Sequence, residues 1–184
     1  MARPRPPATL EALRALLDRA SARRSFITGA VGALPEGGGR PVPTGTRCRT
    51  VLVTVDRDYL AAIIADGDRL DTGAVAAHLG AARAQVIGPR QVRVWLGTAG
   101  DLEESEGSTT PLAWDEVPLI TQIPTLMDSS LLERDFLLGG TGDPECMLRI
   151  APKELRRVTE AGTAAISTPR GYPGRRGGGP ERGD

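Results

Sequence analysis

The residues best suited to chemistry form a short turn of small hydroxyl side chains. Gly107-Ser108-Thr109-Thr110-Pro111 begins with a glycine, which permits unusual backbone angles, and ends with a proline, which fixes the exit of the chain. Backbone N–H groups in such a turn can converge on one point and stabilise a developing oxyanion. The turn could therefore hold a developing negative charge, but taken alone these residues more often form a plain surface turn.

Two charged residues could contribute to the same kind of site. Arg49 precedes a β-branched run, and its guanidinium can bind a phosphate or a carboxylate. Asp128 ends a short apolar run, where its carboxylate could orient a pocket residue or hold a loop. The structural alternatives are a solvated residue at a strand start for Arg49 and a turn former at a strand end for Asp128.

The other reactive residues form no catalytic or metal-binding set. The chain has one histidine, His78, within a predicted helix, and two cysteines, Cys48 and Cys146, in or beside predicted strands. Their spacing matches no tetrahedral zinc site and places no base beside a thiol, so we expect no metal and no cofactor. The glycine-rich segment 139–142 is followed by neither a lysine nor a helix, which excludes a P-loop.

Composition restricts the partners of the chain. Its 184 residues suit one domain, its formal net charge is zero, and it has only two Trp, two Tyr and two Phe residues. This composition argues against a protein that coats DNA or RNA, but it is compatible with a local basic patch. No apolar run reaches the roughly 20 residues that span a bilayer, and the N-terminus does not resemble a signal peptide. We therefore expect a cytoplasmic protein that binds neither DNA nor membranes.

The elements that must position these residues alternate between strands and short helices. The pattern predicts strands over residues 50–55, 59–64, 124–127, 136–138 and 146–150, with a loop over 139–144. It also predicts four helices. The first follows Thr9 and has Leu10, Leu13, Leu16 and Leu17 on one face, and the second runs from the Asp71 cap to Leu79 and ends at Gly80. The third runs from Gly88 to about Gly97, and the fourth runs from Pro152 and stops at Gly162. Such an order is typical of a mixed α+β domain.

Segments rich in glycine and proline bound the predicted domain. Residues 1–8 and 167–184 are predicted to be disordered, because they cannot bury enough apolar surface to order themselves. The domain spans residues 9–166 and includes a flexible Gly/Pro loop over 29–45.

Several segments occur in an order that resembles a known family. They are Arg49-Thr50-Val51-Leu52, Asp68-Arg69-Leu70-Asp71, the stretch 75–81, Gly107–Pro111, Met127-Asp128 with Leu131-Leu132, and the segment 139–142. Together they span about residues 47–165 and resemble the YbaK-type aminoacyl-tRNA editing domain, also called the prolyl-tRNA synthetase-associated domain. Family members have a lysine where this chain has Arg49.

The resemblance implies a curved, barrel-like mixed β-sheet surrounded by short helices. It also implies hydrolysis of the ester that joins a wrong amino acid to tRNA, assisted by a hydroxyl of the terminal ribose. The implied catalytic residues are Gly107, Ser108, Thr109, Thr110 and Pro111, and the implied substrate-binding residues are Arg49, Asp128, Gly140, Thr141 and Gly142.

These implications predict a free-standing aminoacyl-tRNA deacylase. Its partner would be the aminoacylated 3′ end of tRNA, and an aminoacyl-tRNA synthetase is a candidate second partner. Two alternatives stay open: a non-catalytic relative that binds aminoacyl-tRNA, an amino-acid adduct or a protein partner, and a small esterase unrelated to tRNA.

Overall fold

The computed structural model of the chain describes residues 10–28, 45–88, 91, 124–141 and 146–169. The helices in these ranges are α1 (Leu10–Arg19), α2 (Thr72–Leu79), α3 (Pro152–Thr159) and a 3-10 helix (Ser129–Glu133). The strands are β1 (Arg24–Thr28), β2 (Thr46–Val55), β3 (Asp58–Ala65), β4 (Asp68–Leu70), β5 (Ala84–Val86), β6 (Thr125–Asp128), β7 (Leu137–Gly140), β8 (Cys146–Ile150), β9 (Gly162–Ala164) and β10 (Ser167–Pro169).

Eight strands form one curled mixed sheet. Seven of them lie in the order β1-β8-β7-β2-β3-β6-β9, and β5 also pairs with β2. The β2–β7, β3–β6 and β6–β9 pairs are parallel, and the other pairs are antiparallel. The first residues of β2 pair with β7 and the rest pair with β3, so this ten-residue strand joins the two halves of the sheet. The result is a half-barrel with helices around it, which confirms the predicted α+β architecture.

The β2–β3 hairpin follows from local sequence. Its strands are rich in β-branched residues, which suit a pleated, buried surface. The register pairs Val55 with Asp58, so Asp56 and Arg57 form a two-residue turn, with Asp56 at φ 52°. The Asp56 carboxylate accepts a hydrogen bond from the Arg83 backbone N–H at 3.0 Å, which holds the start of β5 beside the turn.

The sheet buries apolar side chains on both faces. On one face α1 and α3 cover a core that includes Leu17, Ile63 and Leu155. On the other face α2 covers a second core that includes Val53, Leu126 and Val75. Because both faces are buried, the central strands are apolar at nearly every position rather than alternating.

Helix α2 matches its prediction closely. The Ala74 backbone N–H donates to the Asp71 carboxylate at 2.9 Å, which caps the first turn. Gly80 ends the helix in the left-handed region at φ 63°. Both signals act within one turn of the helix, so the sequence alone specifies them.

Two predicted boundaries are wrong. Gly139 and Gly140 belong to β7, not to a loop, because β7 is hydrogen-bonded to β8 throughout its length. Helix α3 ends at Thr159 with Glu160 in the left-handed region, and Gly162 begins β9 instead of stopping the helix. The predicted helix after Gly88, the acidic segment 101–106 and nearly all of the predicted loop over 29–45 lie outside the described residues.

Strand β10 lies where the sequence predicts a disordered tail. Ser167–Pro169 pairs with β4, and the Asp71 backbone N–H donates to the Ile166 carbonyl at 2.8 Å. The Ser167 hydroxyl also donates to the Asp68 carboxylate at 3.2 Å. Residues 167–169 are therefore part of the fold, whereas residues 170–184 lie outside the described ranges.

Two truncations should separate these segments. Removing residues 170–184 should leave the melting temperature nearly unchanged. Removing residues 167–184 should lower it by roughly 3 °C, because about 1 kcal/mol of strand pairing is lost. Thermal unfolding of the two shortened proteins checks this, and equal melting temperatures would show that β10 does not stabilise the domain.

Candidate functional site

The described residues include four of the predicted site residues: Arg49, Asp128, Gly140 and Thr141. Gly142 and the whole turn Gly107–Pro111 lie outside them. The structure therefore locates the substrate-binding part of the predicted site, and the placement of the predicted catalytic turn stays a prediction.

Three of these residues lie on one face of the sheet. Arg49 pairs with Ile64 across β2 and β3, and Asp128 lies one residue beyond the Ile63–Met127 pair of β3 and β6. Arg49 and Asp128 thus flank Ile64 on the face covered by α2, about 10 Å apart as alternate strands. In the parallel pair β2–β7, Arg47 of β2 pairs with Leu138 of β7. Two residues further along, Arg49 on β2 and Gly140 on β7 lie on the same face of the sheet as this pair.

The Arg49 guanidinium is partly committed to the protein. Its Nη2 donates to the Asp68 backbone carbonyl at 2.8 Å, which fixes the side chain across the start of β4. Its Nε is buried and has no hydrogen-bond partner among the described residues. A buried N–H without an acceptor costs about 1–3 kcal/mol, so this donor suits an oxygen acceptor on a ligand.

Asp128 has a positioning role in this structure. It is only 3% exposed, and its carboxylate accepts the backbone N–H groups of Ser130 and Ile166, each at 2.9 Å. Burial alone would raise the pKa of Asp128, but hydrogen bonds from Ser130, Ile166 and Ser167 outweigh it and hold the pKa below its usual value. The ionised carboxylate therefore caps the 3-10 helix and holds the chain that leads into β10.

Two residues that connect these groups were not predicted as site residues. The Asp68 carbonyl accepts from Arg49, and the Asp68 carboxylate accepts from Ser167. Ser167 in turn follows Ile166, whose N–H binds Asp128. The β4–β10 ribbon thus links Arg49 to Asp128. The sequence signal is incomplete, because the motif 68–71 belongs to the family pattern but Ser167 lies in the segment predicted to be a disordered tail.

Gly140 and Thr141 differ in what they offer a ligand. Thr141 is 1% exposed, and its hydroxyl donates to the Cys146 carbonyl at 2.8 Å, so it closes the β7–β8 connection. Gly140 is exposed, and a Cβ placed on it would meet no atom within 4 Å. Of the two, Gly140 leaves open space, and Thr141 supports the strands around it.

The remaining reactive residues are poorly placed for catalysis. His78 is exposed in the last turn of α2. Cys48 and Cys146 are buried, and burial raises the pKa of the Cys48 thiol to about 12. Cys48 is therefore a protonated packing residue at neutral pH, and a thiol of that kind is a weak nucleophile.

Neither a metal site nor a membrane span is found in the part of the chain that the structure describes. No group of three or more His, Cys, Asp or Glu side chains there is arranged to hold a metal ion. No helix among these residues is long and apolar enough to cross a bilayer.

The sheet face can recognise an oxygen-rich group beside an open position. Arg49 supplies a fixed positive charge and an unpaired donor, and Gly140 leaves room. The carboxylate on this face, Asp128, is buried and already accepts two backbone N–H groups, so it is not free to act as a general base. The reacting groups would then come from water and from backbone donors of an adjoining segment.

Comparisons with known proteins identify the family and the fold of the chain. A sequence model described as the aminoacyl-tRNA editing domain matches residues 37–158. No curated protein matches the chain. Among solved structures, a protein described as a "putative trans-editing enzyme for prolyl tRNA synthetase" has a TM-score of 0.56 at 17% identity, with 86% of this chain and 96% of that chain covered.

Two further solved structures share the fold. The hypothetical protein APE2540 has a TM-score of 0.61 at 18% identity, and 85% of this chain and 99% of that one are covered. A signal transduction protein from Marinobacter aquaeolei VT8, whose assignment is also qualified as putative, has a TM-score of 0.57 at 23% identity. That match covers 84% of this chain but only 30% of the other. Since the matched sequence model covers most of the described sheet, the chain belongs to the aminoacyl-tRNA editing domain family.

Proposed function

We propose that this protein is a free-standing deacylase that hydrolyses mischarged aminoacyl-tRNA. Membership of the editing-domain family supports the reaction class, and the likeness to a protein described as a trans-editing enzyme supports the shared fold. The observation that carries the proposal is the Nε–H of Arg49, which is buried and has no hydrogen-bond partner among the described residues. An oxygen of the terminal nucleotide or of the ester would satisfy this donor.

The reaction needs only water and fixed donors. A water molecule attacks the ester carbonyl carbon, and the carbonyl oxygen takes up negative charge in a tetrahedral intermediate. Collapse of the intermediate breaks the bond to the ribose oxygen and releases the free amino acid and the tRNA, whose hydroxyl regains a proton. Backbone N–H groups of Gly107–Thr110 would stabilise the oxyanion, and a ribose hydroxyl would assist the water.

The deciding experiment is a deacylation assay on a panel of tRNAs, each charged with a wrong or a right amino acid. The proposal expects faster ester hydrolysis for at least one mischarged tRNA than for its correctly charged form. The same rates in the presence of EDTA would agree with the absence of a metal requirement. No acceleration over buffer for any charged tRNA would refute the proposal.

Variants of Arg49 test its role in that reaction. Arg49→Ala should weaken tRNA binding and slow hydrolysis together, because the cation and the unpaired donor are both lost. Arg49→Lys should retain much of both activities, since it keeps the charge but not the planar fork. The dependence of binding on salt should also fall by about one phosphate contact in Arg49→Ala.

Binding curves for one charged tRNA at several salt concentrations decide between the interpretations of Arg49. Three coincident curves for the wild type, Arg49→Ala and Arg49→Lys would remove Arg49 from the site. Melting temperatures of the three proteins serve as the control, because Arg49 also donates to the Asp68 carbonyl.

One observation favours the second candidate, a non-catalytic relative that binds aminoacyl-tRNA. Family members have a lysine at this position, whereas the guanidinium of Arg49 is partly occupied by Asp68. A protein that binds charged tRNA with normal salt dependence, but protects the ester from hydrolysis, would match this candidate.

A further inference from the structure

The zero net charge of the chain conceals a separation of charges within the fold. Residues 56–71, which contain the β2–β3 turn and β4, carry five aspartates and two arginines. Residues 10–24 and 149–160, which contain α1 and α3, carry eight basic and four acidic residues. The α1–α3 side of the domain therefore has a net positive charge, while the β2–β4 side has a net negative charge.

An open groove lies on the basic side. Its cavity volume is about 480 Å³, and its lining consists of Lys153, Arg156, Arg157, Glu160 and Ala161. Three cations against one carboxylate give this lining a net charge of +2. All four charged residues are exposed to solvent. The groove is thus wet, shallow and positive, unlike an apolar pocket for a small ligand.

The groove wall is held by contacts with the α1–β1 turn. Arg157 donates from Nη2 to the Ala20 carbonyl and to the Glu154 carboxylate, each at 2.7 Å. The pKa of Glu154 is lowered, mainly by Arg157 and in part by the Arg23 backbone N–H. Glu154 and Arg157 therefore hold α3 against the turn, and they leave Lys153 and Arg156 as the cations that most directly offer charge to a partner.

Lys153 and Arg156 are spaced for a repeating anion. They lie three residues apart on α3, which places their Cβ atoms roughly 5–6 Å apart on one face of the helix. Arg156 is also steadied by a hydrogen bond from its Nε to the Ala161 carbonyl at 3.3 Å. Two neighbouring cations along an open groove suit successive phosphates of a nucleic-acid backbone.

We propose that the α3 groove binds the phosphate backbone of the tRNA body, at a distance from the ester. This inference rests on the proposed function, because it takes tRNA as the partner. The acidic residues around β4 would repel a backbone laid across the sheet, so the basic side is the one that can receive it. Such contacts hold the RNA without reading its sequence. A local basic groove can make them even though the net charge of the chain is zero.

The 3-10 helix contacts both α3 and the strand that carries Asp128. α3 packs against this helix, and Asp128 caps its N-terminus. Because α3 covers the face of the sheet opposite to Arg49, a tRNA bound along α3 would pass its single-stranded 3′ end around an edge of the sheet to reach Arg49.

The test uses paired charge-removing variants and a matched control. Lys153→Gln/Arg156→Gln removes two groove charges, and Lys153→Arg/Arg156→Lys keeps both. Arg57→Gln/Arg83→Gln removes two exposed arginines near the β2–β3 turn and serves as the control. The dissociation constant of each protein for uncharged tRNA is measured at several salt concentrations, and melting temperatures verify folding.

The groove double variant should bind tRNA roughly tenfold more weakly at low salt. The slope of the logarithm of its binding constant against the logarithm of salt concentration should fall by the equivalent of about two phosphate contacts. The charge-keeping variant and the Arg57/Arg83 control should match the wild type. Equal affinity and slope for the groove variant and the wild type would overturn the proposal, as would an equal loss in the control. If the groove bound an acidic protein but did not bind tRNA, the proposal would also be overturned.

A second substrate separates this inference from the proposed function. Hydrolysis of a small aminoacyl-adenosine ester should be unchanged in the groove variant, because that substrate has no tRNA body. If the wild type hydrolyses no ester but the groove variant still loses tRNA affinity, the groove proposal stands and the deacylase proposal fails. If the wild type and the groove variant hydrolyse and bind charged tRNA equally well, the deacylase proposal stands and the groove proposal fails.

Discussion

The Asp128→Ala variant should unfold roughly 10 °C below the wild type. The change removes the acceptor for two backbone N–H groups, those of Ser130 and Ile166. Each buried, unsatisfied donor costs about 1–3 kcal/mol, and 1 kcal/mol corresponds to about 2–4 °C for a chain of this size. Thermal and denaturant unfolding at pH 7 check this. A change within 2 °C would show that the Asp128 carboxylate does not join these segments.

The Asp128→Asn variant tests the charge of the same side chain. The pKa of Asp128 is lower in the folded protein than its ordinary value of 3.8, so its contribution to stability is complete above that value. The contribution is lost as the pH falls below about 4 and through the folded pKa. The wild type should therefore exceed Asp128→Asn in stability at pH 7, and the difference should shrink towards pH 3. A constant difference over that range would contradict an ionised cap.

The Gly107→Val variant should deacylate mischarged tRNA about a hundredfold more slowly than the wild type, since loss of one oxyanion donor commonly has that effect. Valine is restricted to ordinary backbone angles, so it would turn the N–H groups of the loop away from the ester carbonyl. Single-turnover hydrolysis of one charged tRNA measures the change. Gly107 lies outside the described residues, so this prediction rests on the sequence pattern.

Gly88→Val is the matched control for this loop. A Cβ at Gly88 meets no atom within 4 Å, so the same substitution there should leave both rate and stability unchanged. Full activity in a folded Gly107→Val protein would remove the oxyanion role from Gly107–Pro111. Loss of activity in both variants would show only that valine is poorly tolerated in loops of this domain.

The two proposals assign binding to two parts of the fold. Arg49 would contact the reacting end of the substrate, and the cations of α3 would contact the tRNA body. Variants in the first should alter both binding and the ester reaction. Variants in the second should alter only binding of a full-length tRNA, so the ratio of rates on small and large substrates distinguishes them.

The sequence by itself specified the elements that local signals control. Asp71 and Gly80 fix the ends of α2 within one helical turn, and the β-branched run of β2 returns through the Asp56 turn into β3. The ordered set of motifs from Arg49 to the segment 139–142 also indicated the family, which the match over residues 37–158 confirms. These features depend on neighbours close in the chain.

Only the tertiary structure decided which distant residues share the site. Ser167 lies 99 residues from its partner Asp68, and Asp128 lies 38 residues from Ile166, so no local pattern could place either contact. β10 and the glycines of β7 become strands because neighbouring strands satisfy their backbone, against their intrinsic preference.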